Sequence, residues 1–197
     1  MKKYALRAII ALILLFLVHC GASYNSFVRN EEAVFKSFGD MQSAYQRRSD
    51  LIPNLVSVVK GASEYEKSTL IEVMNARAKA TKTTITIKDG ENIPDEQVHA
   101  WKQAQSELNN SFSKLLVIVE KYPDLKAQQS FLKLQSQLEG TENRIKVARD
   151  AYNDKVNIYN KDILQIPQII WTWLFNFKTK DYFQSTTGAD QAPDIEL

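Results

Sequence analysis

Residues 122–166 read YPDLKAQQSFLKLQSQLEGTENRIKVARDAYNDKVNIYNKDILQI, and this stretch decides the fold. Large apolar or aromatic residues recur in it every seven positions, at Phe131, Leu138, Ile145, Tyr152, Tyr159 and Ile166. A second seam runs between them at Leu134, Thr141, Ala148, Val156 and Ile163. This spacing predicts one long helix with a stripe buried against partner helices. We expect it to begin at Pro123, whose missing N–H costs nothing in a first turn, and to stop at Pro167.

The rest of the chain predicts three partner helices. The first follows Ser23 and carries an apolar face at Tyr24, Phe27, Val34, Phe38, Met41 and Tyr45. A second restarts at residues 50–53, with Asp50 as N-cap, and runs to about Lys82; the alternative is that Pro53 only kinks one continuous helix. Asp95 is expected to cap the third, whose stripe includes Trp101 and Leu108. The predicted class is therefore all-α, an antiparallel up-and-down bundle of four long helices.

Two stretches are expected to be irregular. Residues 81–94, TKTTITIKDGENIP, are polar and β-branched with an Asp-Gly turn signal, which indicates a loop. Residues 184–197 read as a disordered polar tail. The predicted organisation is thus a signal or membrane-anchor segment at 1–22, a helical bundle at 23–183 and the tail.

Residues 1–22 have the layout of a targeting or anchoring segment. Lys2, Lys3 and Arg7 precede an apolar run from Ala8 to Val18. That run is short for a bilayer crossing, which needs about 20 apolar residues, and has the length of the apolar part of a signal peptide. The alternative is an uncleaved membrane helix from Tyr4 to Ala22, with Arg7 reaching the interface. Either way, we expect the bulk of the chain to lie outside the cytoplasm, attached to a membrane of the cell envelope.

Cys20 follows the apolar run directly, in the place of a lipoprotein acceptor cysteine. His19 stands where such signals carry a small residue, so lipidation of Cys20 remains one of two hypotheses. The other is an unmodified thiol buried in the membrane helix.

Composition excludes several function classes. The 197 residues are 44% hydrophobic and 24% charged, which is ordinary for a globular domain. The formal charge is +2, and the body is close to neutral once the basic residues of the first segment are set aside, which argues against nucleic-acid binding. With Cys20 as single cysteine and only His19 and His99 as histidines, no disulfide, histidine triad or His/Cys metal site is expected. We therefore expect no enzyme, no cofactor and no metal.

Several polar residues lie on or beside the apolar seams. They are Arg47, Arg48, Asp50, Asn54, Glu139, Glu142, Asn143, Arg149, Asn153 and Asn160. The favoured interpretation is a set of partly buried hydrogen-bonded pairs that fix which helix packs on which, rather than a ligand site. Tyr152-Asn153 recurs seven residues later as Tyr159-Asn160, which places both amides on one helix edge. An acidic pair for hydrolysis, Glu139 with Glu142, is disfavoured because nearby arginines would neutralise it.

An aromatic segment follows Pro167, with Trp171, Trp173, Phe175 and Phe177 ahead of two lysines. This composition is typical of a segment at the membrane interface or against a partner; the alternative is a cap on the open end of the bundle. Four helices of alternating direction would return Pro167 to the bilayer. If Pro53 only kinks a helix, Pro167 would lie at the far end and membrane contact would be excluded.

A resemblance covers residues 24–183, nearly the whole body. Residues 47–56 (RRSDLIPNLV), Ala76-Arg77, 122–126 (YPDLK), 141–145 (TENRI), Ala148-Arg149 and the two Tyr-Asn pairs resemble the LemA family of bacterial membrane-attached proteins. The resemblance implies an antiparallel bundle of long helices behind an N-terminal membrane segment, and it supplies no catalytic residues. The chain departs from the usual family pattern after Pro167.

The sequence therefore predicts a non-enzymatic, membrane-tethered helical bundle that acts as a scaffold or interaction module, with another envelope protein as its partner. The alternative is a binding protein for a small apolar or lipid-like ligand, suggested by the surplus of aromatic residues between residues 152 and 183.

Overall fold

Six helices make up the structure, a computed structural model that describes residues 2–62, 67–83, 85 and 94–183. They are α1 (Lys2–Ala62), α2 (Lys67–Lys82), α3 (Asp95–Val119), α4 (Pro123–Lys126), α5 (Gln129–Leu164) and α6 (Gln168–Phe175). The described ranges contain no strand, and the all-α class predicted from the heptad pattern is confirmed. The expected tail and most of the expected loop at 81–94 lie outside the described residues.

Pro53 does not end a helix, so the predicted restart with Asp50 as N-cap is wrong. Pro53 lies inside α1, where its missing N–H leaves the carbonyl of Ser49 without its helical donor. Arg77 of α2 takes that place, because its Nε donates to the Ser49 carbonyl oxygen over 2.7 Å. Ser49 is buried, so this bond replaces a partner that water could not supply.

The change of direction expected at Pro53 is found instead between α1 and α2. Arg77 of α2 bonds Ser49 of α1, and Ile85, just after α2, accepts a bond from Gln42, which lies earlier in α1 than Ser49. Later residues of the chain thus contact earlier residues of α1. α2 therefore runs antiparallel to α1. α3 is in turn antiparallel to α2, as the ion pairs Lys79–Glu107 and Lys114–Glu72 show.

The long helix predicted from Pro123 is divided. α4 forms one short turn with Pro123 at its start, and α5 begins at Gln129. The separate turn buries Leu125, which is 1% exposed. α5 ends at Leu164, ahead of Pro167 as expected. Asp95 is the first residue of α3 rather than its N-cap, a position that Pro94 occupies.

The chain divides into two compact units. The terminal unit comprises Met1–Gly39 and Arg149–Gln184, and the central unit contains Asp40–Ala148. α1 and α5 contribute residues to both. In the central unit, α1, α2, α3, α4 and α5 share one apolar core, which includes Ile52, Leu55, Val73, Leu108, Leu115, Leu125 and Leu138.

In the terminal unit α5 lies antiparallel to α1. Phe38 meets Tyr152 with ring centroids 5.6 Å apart, whereas Ser26, earlier in α1, bonds Asp162, later in α5. The core of this unit contains Phe27, Val34, Phe38, Val156, Tyr159, Ile163, Trp171 and Phe183.

The start of α1 is apolar and uncovered. An 18-residue window near the N-terminus has a mean hydropathy of 2.3, which makes the helix long and apolar enough to cross a membrane. Its side chains are exposed from Lys3 to His19, with Leu15 at 67% and Val18 at 70%. Water does not stabilise such a helix; hydrocarbon does.

Candidate functional site

The Tyr-Asn repeat of α5 binds the backbone of the segment that follows α6. The side-chain amide of Asn153 donates to the carbonyl of Phe183 over 3.0 Å and accepts the N–H of Phe183 over 2.7 Å. Asn160 makes the same pair of bonds with Lys180, both at 2.9 Å. Each amide therefore acts as a neighbouring strand would, since it offers one donor and one acceptor to a single residue.

The two tyrosines complete this contact. The hydroxyl of Tyr152 donates to the carbonyl of Asp181 over 3.1 Å, and that of Tyr159 donates to the carbonyl of Lys178 over 3.0 Å. A seven-residue step along a helix covers about 10 Å, and three extended residues cover about the same distance. The heptad spacing of Asn153 and Asn160 therefore matches the spacing of Phe183 and Lys180. We call this set of six bonds the backbone clamp.

Burial sets the protonation of the clamp tyrosines. Desolvation, with a smaller contribution from the negative charge of Asp181, raises the pKa of Tyr152 to about 12. Desolvation also raises the pKa of Tyr159, and the Glu31 carboxylate adds to the effect. Both phenols therefore remain protonated donors to a higher pH than an exposed tyrosine.

Lys180 connects the clamped segment to α1. Its ammonium lies 2.7 Å from a carboxylate oxygen of Glu31, and the two side chains are only 12% and 20% exposed. The same ammonium lies 5.1 Å from the ring centroid of Phe35 and 5.7 Å from that of Tyr159. Attraction by two ring faces adds to the ion pair in a setting with little water.

Arg48 is the polar centre of the central unit. It is 3% exposed, and its guanidinium donates to Glu142 over 3.2 Å and to the side chain of Gln105 over 3.0 Å. Asn109 and the backbone carbonyl of Gln105 accept longer bonds of 3.5 Å. The guanidinium also lies 5.1 Å from the ring centroid of Tyr45. Arg48 thereby links α1, α3 and α5, while Glu142 stays 43% exposed.

The other members of the predicted polar set lie at the surface. Arg47, Asp50, Asn54, Glu139 and Asn143 are exposed, and Arg149 is half-buried. Asp50 accepts a bond from Gln46 and Glu139 one from Gln135, each within a single helix. The structure brings Arg48 together with Glu142. It also brings Asn153 and Asn160 together with the segment that follows α6. Glu142 is bound by Arg48, whereas Glu139 is exposed and is bound by Gln135.

Sequence reasoning missed five partners: Arg77, Gln105, Asn109, Asp162 and Lys180. Gln105 and Asn109 stand one helical turn apart beside the α3 stripe, which is a signal that the pattern contained. Asp162 accepts bonds from Ser26 and Asn30, both at 2.7 Å, and no local pattern announces it.

The aromatic end of the chain packs on α1. Trp171 is 3% exposed and meets Phe16 edge-on, with ring centroids 4.6 Å apart. Phe175 lies 5.0 Å from Tyr24, and Phe177 lies 5.2 Å from Phe27. Trp173, two residues after Trp171, is 86% exposed. The two indoles thus have different surroundings.

Cys20 is a half-buried free thiol within α1. The neighbouring His19 ring lies 6.2 Å from that of Trp171. Phe16 and His19 belong to the part of α1 that a signal peptidase would remove before Cys20. Both lie next to Trp171 of α6.

These features define a class: an all-α protein whose first helix begins with an exposed apolar stretch long enough to cross a membrane. The chain belongs to the LemA family, whose sequence profile matches residues 37–197.

Two relatives share about a quarter of their residues with this chain. Magnetosome protein MamQ 2 of Paramagnetospirillum magneticum strain AMB-1 and magnetosome protein MamQ of Magnetospirillum gryphiswaldense strain MSR-1 are each 23% identical to this chain over 185 residues. Each match covers 85% of this chain and 66% of the relative, just under two thirds of its length.

Proposed function

We propose that this protein is a non-enzymatic scaffold or interaction module, tethered to a membrane of the cell envelope by the start of α1, with the bulk of the chain outside the cytoplasm. The observation that carries the proposal is the continuity of α1. The exposed apolar helix passes without a break into the helix that binds α5 through Phe38 and Ser26. A helix holds its direction where a flexible linker does not.

The polar chemistry supports a structural role. The clamp amides, Lys180 with Glu31, and Arg48 with Glu142 each satisfy a group of the same chain. Two relatives are named as magnetosome proteins, which agrees with a role at a cellular structure. A partner in the envelope is part of the proposal.

The alternative of a binder for a small apolar ligand rested on the aromatic surplus. Tyr152, Tyr159, Trp171 and Phe183 are at most 9% exposed and make packing contacts. A groove of about 750 Å³ lies elsewhere, between the end of α1 and α2, with Val56, Leu70 and Met74 in its wall. We therefore favour the scaffold.

Site-specific photo-crosslinking in the native host tests the proposal. A photoreactive residue at Val117 or Val147, which are 63% and 61% exposed, should capture a defined envelope protein. The same variants without irradiation serve as control. A catalysed reaction that Glu139→Gln with Glu142→Gln abolishes at unchanged melting temperature would contradict the non-enzymatic part of the proposal.

A further inference from the structure

The chain from Ile163 to Phe177 carries no charged residue, although Asp162 and Lys178 stand at its two ends. It comprises the end of α5, the turn at Pro167 and α6, and we call it the apolar hairpin. Its ends lie beside α1 just after the apolar run, because Asp162 bonds Ser26 and Asn30 and nearby Lys180 pairs with Glu31.

The middle of the hairpin reaches further back along α1. Trp171 packs on Phe16, whereas Phe175 packs on Tyr24, so α6 runs parallel to α1 from Phe16 towards Tyr24. Phe16 lies within the apolar run that ends at Val18, and it precedes Ser23 by about 10 Å of helix rise. If α1 crosses the bilayer, Phe16 and Trp171 lie below the headgroups, inside the hydrocarbon of one leaflet.

The outer face of the hairpin suits hydrocarbon. Its exposed large apolar side chains are Leu164 at 54%, Ile166 at 87%, Ile169 at 44%, Ile170 at 56%, Trp173 at 86% and Leu174 at 58%, and Gln165, Pro167 and Asn176 are the other exposed residues of the segment. The hairpin packs on the apolar run of α1 through the buried Trp171, which contacts Phe16, so its exposed apolar side chains lie beside those of α1. A surface this apolar is rarely left to water.

One backbone acceptor of the hairpin is satisfied within the protein, as hydrocarbon requires, whereas the side-chain atoms Gln168 Oε1 and Trp171 Nε1 are buried without a hydrogen-bond partner. The carbonyl of Ile163 would take its helical bond from residue 167, but Pro167 has no N–H. The hydroxyl of Thr172 donates to it instead, over 2.6 Å. The turn at Pro167 thus leaves no open acceptor at Ile163.

We propose that the apolar hairpin inserts into the same leaflet that α1 crosses, with lipid acyl chains covering Ile166, Ile170 and Trp173. The protein then contacts the membrane at two places that are distant in the sequence. Pro53 lies within α1 and does not turn the chain. α2 nevertheless runs antiparallel to α1, and α5 also runs antiparallel to α1, so α5 leads back towards the start of α1 as insertion of the hairpin requires.

Depth-dependent quenching of tryptophan fluorescence tests the insertion. The full chain is reconstituted in phosphatidylcholine–phosphatidylglycerol vesicles that contain phosphatidylcholine brominated near the glycerol end of its acyl chains. W101F with W171F leaves Trp173, and W171F with W173F leaves Trp101 as matched control. Bromolipid should quench Trp173 at least twofold more than Trp101, and iodide in the buffer should quench Trp173 weakly. Strong iodide quenching of Trp173, with bromolipid quenching no greater than that of Trp101, would overturn the proposal.

A charge placed on the proposed lipid face provides the second arm. In the Trp173-only chain, Ile170→Lys should lower bromolipid quenching, whereas Val147→Lys, at a similarly exposed position of the central unit, should not. Equal quenching in both variants would also overturn the insertion. Vesicle flotation and helicity are measured for every variant: flotation reports the α1 anchor, so failure of the anchor and failure of the hairpin are distinguished.

Discussion

Two prolines in this protein illustrate how a missing backbone N–H is accommodated by a distant side chain. Pro53 leaves the Ser49 carbonyl to Arg77, and Pro167 leaves the Ile163 carbonyl to Thr172. In each case the donor comes from another helix, so the same bond that repairs one helix also fixes the position of its neighbour. With its carbonyl acceptor satisfied in this way, Pro53 is tolerated inside α1, and Pro167 marks the turn between α5 and α6.

A double-mutant cycle measures the first of these bonds. Arg77→Ala should destabilise the protein by about 1–3 kcal/mol, because it leaves the buried Ser49 carbonyl unpaired. In the Pro53→Ala background residue 53 has an N–H again, so the same change should cost less. Denaturant unfolding of the four proteins gives the coupling. Equal costs in both backgrounds would mean that Arg77 does not serve the Ser49 carbonyl.

The backbone clamp gives a second prediction for single residues. Asn160→Asp keeps an acceptor for the N–H of Lys180 but loses the donor to its carbonyl, so it should cost about 1–3 kcal/mol of unfolding free energy. Asn157→Asp is the control, because Asn157 stands on the same helix with only a 3.5 Å contact to Tyr182. Denaturant unfolding should show this loss in the first variant alone. An unfolding free energy unchanged by Asn160→Asp would contradict the clamp.

At the scale of elements, α5 combines two functions on different edges. One face of α5 packs in the core, as the heptad spacing predicts. The edge with Asn153 and Asn160 binds the segment after α6, where three residues cover about the same distance as seven residues of the helix. The phenols belong to this arrangement, since burial keeps them protonated well above the ordinary tyrosine pKa of 10.0.

The clamp should therefore be sensitive to alkali. Since the pKa of Tyr152 in the folded chain is raised to about 12, its contribution to stability is complete below pH 10.0 and is lost as the pH rises through 12. Over that interval the free energy of unfolding should fall more steeply in wild type than in Tyr152→Phe. Tyr182→Phe, which alters a phenol that is 43% exposed, should retain the wild-type slope. Identical slopes in all three proteins would argue against a buried phenol at position 152.

The continuity of α1 bears on the fate of the leader. Cleavage before Cys20 would remove Phe16 and His19 and uncover Trp171, which is now 3% exposed. We expect the intact mass of the wild type to include residues 1–19, and Cys20→Ser to leave mass and fatty-acid labelling otherwise unchanged. A mature chain that begins at a lipidated Cys20, with labelling abolished by Cys20→Ser, would establish the lipoprotein hypothesis instead.

For the whole molecule, the testable property is its orientation. In a Cys20→Ser background, Ser113→Cys places a thiol on the exposed side of α3, and Lys3→Cys places one before the apolar run. A membrane-impermeant maleimide added to spheroplasts should label position 113 at once and position 3 only after lysis. The reverse pattern would place the bulk of the chain in the cytoplasm.

Local sequence determined the helices of this protein, because amphipathic periodicity depends on residues three, four and seven positions apart. The buried stripe of α5, the apolar start of α1, the stop before Pro167 and the family resemblance all follow from such patterns. The composition of the aromatic end was equally visible, although its two alternatives were not separable.

Only the tertiary structure decided what satisfies each polar group and that Pro53 lies within a helix. The sequence around Pro53 predicts a helix start, and only the structure shows that Arg77 replaces the missing N–H. The sequence also predicts Tyr152-Asn153 as a packing pair, and only the structure shows that they bond the backbone of Asp181 and Phe183. The spacing of Trp171 and Trp173 does not reveal that Phe16 covers one and leaves the other exposed. Hydrogen-bond satisfaction and depth along α1 depend on residues far apart in the chain, so no local pattern encodes them.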